Sequence, residues 1–479
     1  MRPFLNLAFF SCVAVGIFGC ASGTPKDQPG EVVGETDAQE ISTTETTLPI
    51  EPSEQWRYAT LFLEYKSQQV LAEDMEFKAV LLASVSMNGN QKSSNVKIKR
   101  SESLISLVII VPPKVQSISL KLFDLDEHAS VLCQQIDFDP TPNPFETVTL
   151  YSPMMSEFLG EPWHHEAHVC IPRGSASAVP VIHHISGFIE NREQSHEYNL
   201  SQVSGKIQSR PASGEAAVAH VFPNVGCRYG HHTFHDSKVN GPIGTAYVTE
   251  FLPHLDQLIS EHNGPEHRFV TGHSSGGWTV VQLMLNFPDA FAYGLATAPD
   301  PLSFTQFHDM NIYQDQNAFT RPDGTERIFG RDYPKGDIVS WKTTAADPTI
   351  DFYPKQIVSY EAAFGFPMPD GSPAHLFDRS SGEINSSVAQ AWKSSDLSIL
   401  ADQYEGTPKA EVFDRLRIVC GTEDNFGLHE GVRVFGSRGN GKSVSGEPFL
   451  QWIDGGDHFF GVYKFVNDFE AFARSLFPS

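Results

Sequence analysis

The 479-residue chain is poor in positive charge, with 34 lysines and arginines against 58 aspartates and glutamates. It has no compact basic cluster, although clustered lysine and arginine are what bind phosphate backbones. The formal net charge of −24 therefore makes nucleic acid a poor partner and repels anionic membranes and polyanionic substrates. We expect no nucleic-acid partner.

Long apolar runs are also scarce, and the longest is residues 1–20, MRPFLNLAFFSCVAVGIFGC. Its basic start, its apolar stretch and the small residues before Cys20 predict a signal peptide. The end of this run resembles a bacterial lipobox, which would make Cys20 the lipidated first residue of the mature protein. An ordinary secretory signal cleaved nearby is the alternative.

The residue after Cys20 is Ala21 and not aspartate, which for a lipoprotein predicts sorting to the outer membrane. No other apolar run in the sequence is long enough to span a bilayer. We therefore expect the membrane as a partner only through the N-terminal lipid. The protein would be exported and anchored at the periplasmic face or at the cell surface.

Cysteine is rare, with six residues in the whole chain, two of them in the signal segment. An oxidising compartment permits a disulfide, but four cysteines allow three full pairings and the sequence does not choose among them. None of the four has the spacing of metal ligands. They are Cys133, Cys170, Cys227 and Cys420.

Composition divides the rest of the chain into three segments. Residues 21–53 contain Thr, Glu, Pro and Gly with almost no core-forming residues, and they predict a disordered tether. Residues 54–151 contain short β runs such as SISLKLF, whose apolar residues alternate with polar ones, and they predict a small all-β sandwich. That domain either binds carbohydrate or another partner, or only packs against the next domain, which is the favoured reading.

Strand and helix patterns alternate over residues 152–479, as in an α/β sheet. Seven runs predict strands: HHEAHVCIP, AVPVIHHISG, AAVAHVFP, HRFVTG, AYGLATAP, RLRIVCG and PFLQWID. The run GTAYVTEFLPHLDQLISEHN predicts a helix, which should be kinked at Pro253. Residues 301–407 are rich in Asp, Pro, Tyr and Phe. They predict an insertion that forms a cap over one edge of the sheet.

The segment VTGHSSGGW matches the G-x-S-x-G nucleophile elbow, because a β-branched strand precedes it and an apolar helix follows. A serine on so tight a turn crowds the residues two positions away. Ser274 has Gly272 and Gly276 there, whereas Ser275 would have His273, whose ring would clash. We therefore predict Ser274 as the nucleophile; a glycine-rich helix cap with a solvent-facing serine is the alternative.

A serine hydroxyl needs a base, and in this fold the acid and the histidine follow the serine in that order. Asp424 follows the strand LRIVCG, and His458 follows the strand in PFLQWID. We predict Asp424 as the acid and His458 as the base. Glu423 and Asp300 are the alternatives for the acid.

Attack by a serine on an acyl carbon also needs hydrogen-bond donors for the oxyanion that develops. The backbone N–H of Ser275, at the start of the helix after the nucleophile, predicts one donor. The loop in HHISGFIENRE predicts the second, from Phe188 or Ile189, because Gly187 permits the sharp turn.

Four segments resemble a known family. The family is the esterase D and enterochelin-esterase-like family of α/β-hydrolases, and the segments similar to it are SEFLGEPWHHEAHVCIPRG, PVIHHISGF, GHHTFHDSKVNGPIG and RFVTGHSSGGW. The likeness covers about residues 152–479. It implies an α/β-hydrolase fold, esterase activity and triad roles for Ser274, Asp424 and His458.

Two histidine-rich runs invite a metal interpretation. In WHHEAH, residues 163–168, the glutamate stands one place too late for the zincin motif, and the run alternates like a strand. In GHHTFHDS, residues 230–237, contact with substrate is favoured over a metal site. We therefore predict no metal and no cofactor, and a substrate pocket lined by His231, His232, His235 and Trp278.

Together these features predict a lipid-anchored serine hydrolase that cleaves a small-molecule carboxylic ester through an acyl-enzyme intermediate. A peptidase or an acyltransferase with the same triad is one alternative. A non-catalytic surface lipoprotein that binds a ligand is the other. The sequence predicts neither the identity of the ester nor the oligomeric state.

Overall fold

A computed structural model describes residues 145–479 except for short gaps, and before residue 145 it describes only the backbone of seven strands. The gaps are residues 173–177, 209–216, 261, 333–336, 347–351, 440, 445 and 478–479. The chain divides into two compact units, residues 1–145 and 146–479. Cys20 and the predicted tether lie outside the described residues, and so does the signal segment apart from its three-residue strand.

The first unit contains two sheets. Its strands are β1 (Val13–Val15), β2 (Arg57–Glu64), β3 (Met75–Val85), β4 (Asn88–Ile98), β5 (Leu104–Val111), β6 (Ser117–Asp124) and β7 (Ser130–Asp137). The strand orders are β1-β5-β2 and β4-β3-β6-β7, and all pairs are antiparallel except β1 with β5. The packing of these strands into a sandwich stays a prediction.

The second unit is built on an eight-stranded mixed sheet, which confirms the predicted α/β class. Its strands follow the order β21-β18-β15-β14-β10-β11-β9-β8. They are β8 (Phe145–Tyr151), β9 (His164–Cys170), β10 (Val181–Ile185), β11 (Ala219–Pro223), β14 (Arg268–His273), β15 (Tyr293–Thr297), β18 (Leu416–Gly421) and β21 (Leu450–Ile453). The pairs from β11 to β21 are parallel, and β9 is antiparallel to β11.

Three short hairpins lie outside this sheet. They are formed by β12 (Gly226–Cys227) with β13 (Gly230–His231), β16 (Ile328–Asp332) with β17 (Asp337–Ser340), and β19 (Ser443–Val444) with β20 (Glu447–Pro448). We had predicted β8 as part of the sandwich. It is instead the edge strand of the large sheet, next to β9.

The α-helices lie between the strands. They are α1 (Pro153–Leu159), α2 (Arg192–Gln208), α3 (Ile243–Ala246), α4 (Leu252–Ile259), α5 (Ser275–Asn286), α6 (Trp341–Ala346), α7 (Phe352–Phe364), α8 (Ser386–Ala391), α9 (Leu397–Asp402), α10 (Leu428–Gly436) and α11 (Val462–Leu476). Short 3₁₀ turns span Pro265–His267, Phe304–Gln306, Trp392–Ser395, Pro408–Asp414 and Ser437–Gly439. Within the described part of the chain, every helix is too short or too polar to cross a lipid bilayer.

The helix predicted to be kinked at Pro253 changes its winding there. A π-helical turn, Tyr247–Phe251, separates α3 from α4, and Pro253 lies in the first turn of α4. The N–H of Leu252 still donates to the carbonyl oxygen of Tyr247, five residues back, whereas Pro253 has no N–H to donate.

The central strands are buried on both faces, as parallel strands covered by helices should be. Every residue of β11 and of β18 is buried. On one face, Phe269 and Val419 pack against Phe465 and Phe469 of α11. A larger apolar cluster contains α5 together with buried aromatic residues of the segment 301–407. The sheet is thus held rigid up to the strand ends that carry the site.

Candidate active site

Ser274 lies on the turn between β14 and α5, and its backbone is strained. Its φ of 59° and ψ of −125° fall in a region that non-glycine residues rarely occupy. Three hydrogen bonds hold this turn: the Ser274 N–H donates to Thr297 O at 3.1 Å, and Ser274 O accepts from Trp278 N at 3.0 Å and Asp300 N at 3.1 Å. The side chain is half-buried.

The glycines around Ser274 allow α5 to touch the sheet backbone. A Cβ atom on Gly272 would lie 2.4 Å from the carbonyl oxygen of Gly276, and one on Gly276 would lie 2.2 Å from that of Ile185. Real Cβ atoms do not approach an oxygen so closely. These two positions therefore require glycine, for the steric reason that the sequence pattern suggested.

Asp424 and His458 form a buried hydrogen-bonded contact at the ends of neighbouring strands. Asp424 follows β18 and His458 follows β21, and Nδ1 of His458 lies 2.7 Å from Oδ2 of Asp424. Both side chains are almost fully buried. The backbone N–H of His458 also donates to Oδ1 of Asn425 at 2.8 Å, which fixes the histidine loop.

The Asp424 carboxyl is kept ionised. Burial alone would raise its pKa, but the charge and hydrogen bond of His458 and the N–H groups of Phe426 and Leu428 together hold the pKa below its usual 3.8. An ionised Asp424 accepts a hydrogen bond from Nδ1–H of His458, which leaves the free lone pair of the ring on Nε2. That is the tautomer a general base needs.

The His458 ring packs beside the turn that carries Ser274. Its centroid lies 4.6 Å from that of His273, the residue before Ser274, and 5.0 Å from those of Phe426 and Phe459. Among the described residues no hydrogen bond joins Ser274 to His458. The Ser274 hydroxyl instead has Oδ1 of Asp300 as its acceptor, at 3.4 Å.

Asp300, the alternative acid in the sequence, lies behind the two serines. Its Oδ2 accepts hydrogen bonds from Ser275 Oγ at 2.5 Å and from the Tyr360 hydroxyl at 2.7 Å. Burial raises the pKa of this carboxyl, and these hydroxyl donors oppose the shift. The carboxylate that is hydrogen-bonded to the His458 ring belongs to Asp424, whereas the side chain of Glu423 is exposed.

The backbone segments that we predict to supply the oxyanion donors adjoin Ser274. Ser275 is the first residue of α5, where backbone N–H groups have no intrahelical acceptor. A Cβ atom on Gly187 would lie 3.5 Å from Cβ of Ser274, so the loop that continues into Phe188 and Ile189 passes beside the serine. The Phe188 side chain is buried.

His231, which we predicted in the substrate pocket, is fully buried and supports that loop. Its Nε2 donates to the carbonyl oxygen of Ser186 at 2.9 Å, and its Nδ1 accepts from the N–H of Thr233, also at 2.9 Å. Burial lowers the pKa of His231 to about 4, so the ring is neutral at pH 7. Both ring nitrogens are therefore engaged by the protein backbone.

His232 has the same pattern of contacts. Its Nε2 donates to the carbonyl oxygen of Asn224 at 3.2 Å, and its Nδ1 accepts from Phe234 N at 3.1 Å. His235 is only half-buried, and its Nε2 lies 2.8 Å from Oγ of Ser395. Of the three predicted pocket histidines, His235 alone keeps part of its surface exposed.

Trp278, the fourth predicted pocket residue, is buried in α5. Its ring packs edge-to-face on His235 with 5.5 Å between centroids, and lies 4.8 Å from Phe364 of α7. Sequence reasoning missed Tyr360 and Asn425, which hold Asp300 and His458. Neither stands in a motif, so no local signal could have identified them.

Three side chains away from the predicted triad could hold a metal ion. Ligand atoms of Glu166, His168 and His196 all lie within 4.8 Å of one another. The first two belong to WHHEAH, in which we predicted no metal site. The third is on α2.

The described cysteines are free thiols. Cys170, Cys227 and Cys420 form no disulfide, and burial raises the pKa of the Cys227 thiol to about 12. The side chain of Cys133 lies outside the described residues.

No family model matches the sequence, and no curated protein matches it. Among solved structures, a ferulic acid esterase is similar over 70% of this chain and 99% of its own, at 13% identity and a TM-score of 0.40. An S-formylglutathione hydrolase from Agrobacterium tumefaciens covers 70% of this chain and 96% of its own, at 14% identity and a TM-score of 0.36. Brefeldin A esterase, a bacterial homologue of human hormone sensitive lipase, covers 71% and 79%, at 13% identity and a TM-score of 0.34. At such identities the chemistry has to be argued from the side chains of the site.

Proposed function

We propose that this chain is a serine hydrolase with an α/β-hydrolase fold that cleaves carboxylic esters through an acyl-enzyme. The observation that carries the proposal is the buried hydrogen bond between Asp424 and His458, with the imidazole packed beside the strained turn of Ser274. A strained serine between a strand and a helix is the geometry of a nucleophile elbow. Ester hydrolysis is the simplest reaction of that arrangement.

In the proposed mechanism, Ser274 Oγ attacks the acyl carbon while Nε2 of His458 takes its proton. The hydroxyl must first turn away from Asp300. That contact is 3.4 Å long and therefore weak, so a rotation about the serine side chain is inexpensive. Asp424 holds the imidazole by Nδ1 and stabilises the positive charge that forms on it.

The tetrahedral intermediate carries a negative charge on the former carbonyl oxygen. We assign the donors for this oxygen to the N–H of Ser275 and to an N–H of Phe188 or Ile189, which adjoin the serine on two sides. His458 then gives its proton to the leaving alcohol. A water molecule, activated by His458 in the same way, hydrolyses the acyl-enzyme.

We propose that residues 301–407 cap this site and select the substrate. Two contacts favour a cap: the Tyr360 hydroxyl bonds to Asp300 behind the nucleophile, and Ser395 bonds to His235. The predicted lipid on Cys20, the tether over residues 21–53 and the sandwich domain remain part of the proposal. They would hold the hydrolase at the outer membrane.

A fluorophosphonate probe tests the nucleophile, because it reacts with activated serines. We expect it to label the wild type and to leave Ser274→Ala unlabelled. Ser275→Ala should still be labelled, since that hydroxyl is bonded to Asp300 and is not the reacting group. Ser437→Ala, at an exposed position with a local backbone contact, is the matched control. Labelling that survives in Ser274→Ala would remove the assignment.

The reaction class is tested with short p-nitrophenyl esters, peptide p-nitroanilides and an acyl acceptor in place of water. Preferential release from the esters supports an esterase, whereas turnover of anilides or transfer to the acceptor supports a peptidase or an acyltransferase. A chain that reacts with none of these substrates and with no probe is a non-catalytic binding protein. Metabolic labelling with a radioactive fatty acid, lost in Cys20→Ala, tests the anchor.

A further inference from the structure

Glu166 and His168 project from the same face of β9, because side chains two residues apart in a strand point the same way. Helix α2 packs on this face and contributes His196. Nδ1 of His196 lies 2.9 Å from Oε1 of Glu166, and the centroids of the two imidazole rings lie 4.3 Å apart. The three side chains thus join a strand to a helix at one point.

The chemical forms of these groups suit a metal ion. Metal ligation requires an ionised carboxylate and an imidazole nitrogen without a proton. Glu166 offers carboxylate oxygens, and His168 and His196 offer ring nitrogens, which are ligand atoms that zinc takes in proteins.

The spacing also suits zinc. Two ligands that are each about 2.0–2.1 Å from a tetrahedral zinc ion lie roughly 3.3 Å apart. Oε1 of Glu166 and Nδ1 of His196 are 2.9 Å apart, and the ligand atoms of all three residues lie within 4.8 Å of one another, so small side-chain movements bring them to that spacing. His168 is 1% exposed, whereas about a third of the His196 side chain is open to solvent. An ion could enter past His196 and keep a water molecule as its fourth ligand.

We propose that Glu166, His168 and His196 bind one divalent transition-metal ion of the zinc class, which fastens α2 to β9. Two imidazoles and a glutamate form an established zinc ligand set. The site is separate from the Ser274 chemistry and plays no part in the proposed hydrolysis. It departs from our prediction from sequence, in which no metal binds.

Arg192 competes with the proposed metal ion for the carboxylate of Glu166. One turn before His196 on α2, it donates to Oε2 of Glu166 at 3.1 Å. This leaves Oε1 as the metal ligand, and the metal replaces the hydrogen bond of His196 at that oxygen. Without a metal, the same groups form a hydrogen-bonded contact between helix and strand, which is the alternative that the experiment must exclude.

The test is a titration of the full chain, freed of metal by a chelator, with Zn²⁺ by calorimetry and with Co²⁺ by visible absorption. We expect one equivalent to bind, with the absorption bands of four-coordinate Co²⁺. The thermal unfolding midpoint should rise with zinc concentration, because an ion that binds only the folded state stabilises it. Absence of saturable binding overturns the proposal.

Variants locate the ion. His196→Ala and Glu166→Gln should each weaken the affinity for Zn²⁺ at least tenfold and abolish the Co²⁺ bands. His164→Ala is the matched control, because His164 stands on the same face of β9 but its ring packs on Tyr151. If the two variants bind as the wild type does, the ion lies elsewhere and the proposal fails. Glu166→Gln preserves the side-chain volume, so it remains informative if His196→Ala does not fold.

Discussion

The hydroxyl of Tyr360 donates a 2.7 Å hydrogen bond to Oδ2 of Asp300. The same carboxyl group accepts a hydrogen bond from Ser275 and is the acceptor for the hydroxyl of Ser274. A single buried carboxyl thus connects helix α7, inside the segment 301–407, to the turn that carries Ser274. A shift of α7 therefore alters the surroundings of both serines.

Tyr360→Phe should lower the free energy of unfolding by about 1–3 kcal/mol, because it removes a donor from a buried carboxyl and leaves the ring packing intact. Chemical or thermal unfolding of the two proteins measures the difference. Tyr229→Phe is the control, since its hydroxyl bonds to the carbonyl oxygen of Gly371 at an exposed site. Equal effects of the two substitutions would contradict the role assigned to Tyr360.

The two carboxyls near Ser274 should differ sharply in their effect on turnover. Asp424→Asn should lower kcat on the order of 10⁴-fold, since the asparagine favours the wrong tautomer of His458. Asp300→Asn should cost less than about tenfold, because an amide oxygen still accepts from Ser275 and Tyr360. Steady-state kinetics on a p-nitrophenyl ester measures the loss of kcat in both variants. A larger loss in Asp300→Asn would move the acid role to that residue.

Ser274→Gly should be more stable than Ser274→Ala by about 1 kcal/mol. The φ of 59° at this position strains any residue with a Cβ atom, and glycine relieves that strain. Thermal unfolding of the two inactive variants measures the difference. The same pair at Ser437, where φ is −60°, should have the opposite order, because glycine is the poorer helix residue there. An identical order at both positions would rule out backbone strain at Ser274.

Acid should remove the stabilisation that Asp424 provides. Its pKa in the folded chain is below its usual value of 3.8, so the folded state favours the ionised form. The contribution is complete above about pH 4 and is lost as the pH falls through the folded-state pKa. The stability advantage of the wild type over Asp424→Asn should thus be constant from pH 5 to 7 and shrink below pH 4. Unfolding midpoints recorded at each pH check this, and an advantage that grows on acidification would contradict it.

Much of the sheet could be predicted because buried parallel strands are continuous apolar runs. RLRIVCG and HRFVTG correspond to β18 and β14, whose residues are almost all buried. The strand FETVTL was assigned to the wrong domain, since its alternating pattern suits an edge strand of either sheet. This strand belongs to the large sheet because it pairs next to β9, and no local sequence pattern reveals that pairing.

In the candidate site, only the residues that directly follow strand ends could be predicted from the sequence. Asp424 and His458 follow neighbouring parallel strands, and the carboxyl ends of such strands meet at one edge of the sheet. The hydrogen bond from Tyr360 to Asp300 could not be predicted, because it joins a helix of the insertion to a loop. The group around Glu166 was missed for the same reason: His196 belongs to a different element and approaches only after α2 packs on β9.

The order of Ser274, Asp424 and His458 along the chain has a consequence for biosynthesis. If hydrolysis proceeds as proposed, the serine elbow is synthesised long before its imidazole, which follows β21 at the far edge of the sheet. A partly translated chain then carries a hydroxyl with no base to activate it. Ester cleavage inside the producing cell is thereby delayed until the last strand has joined the sheet.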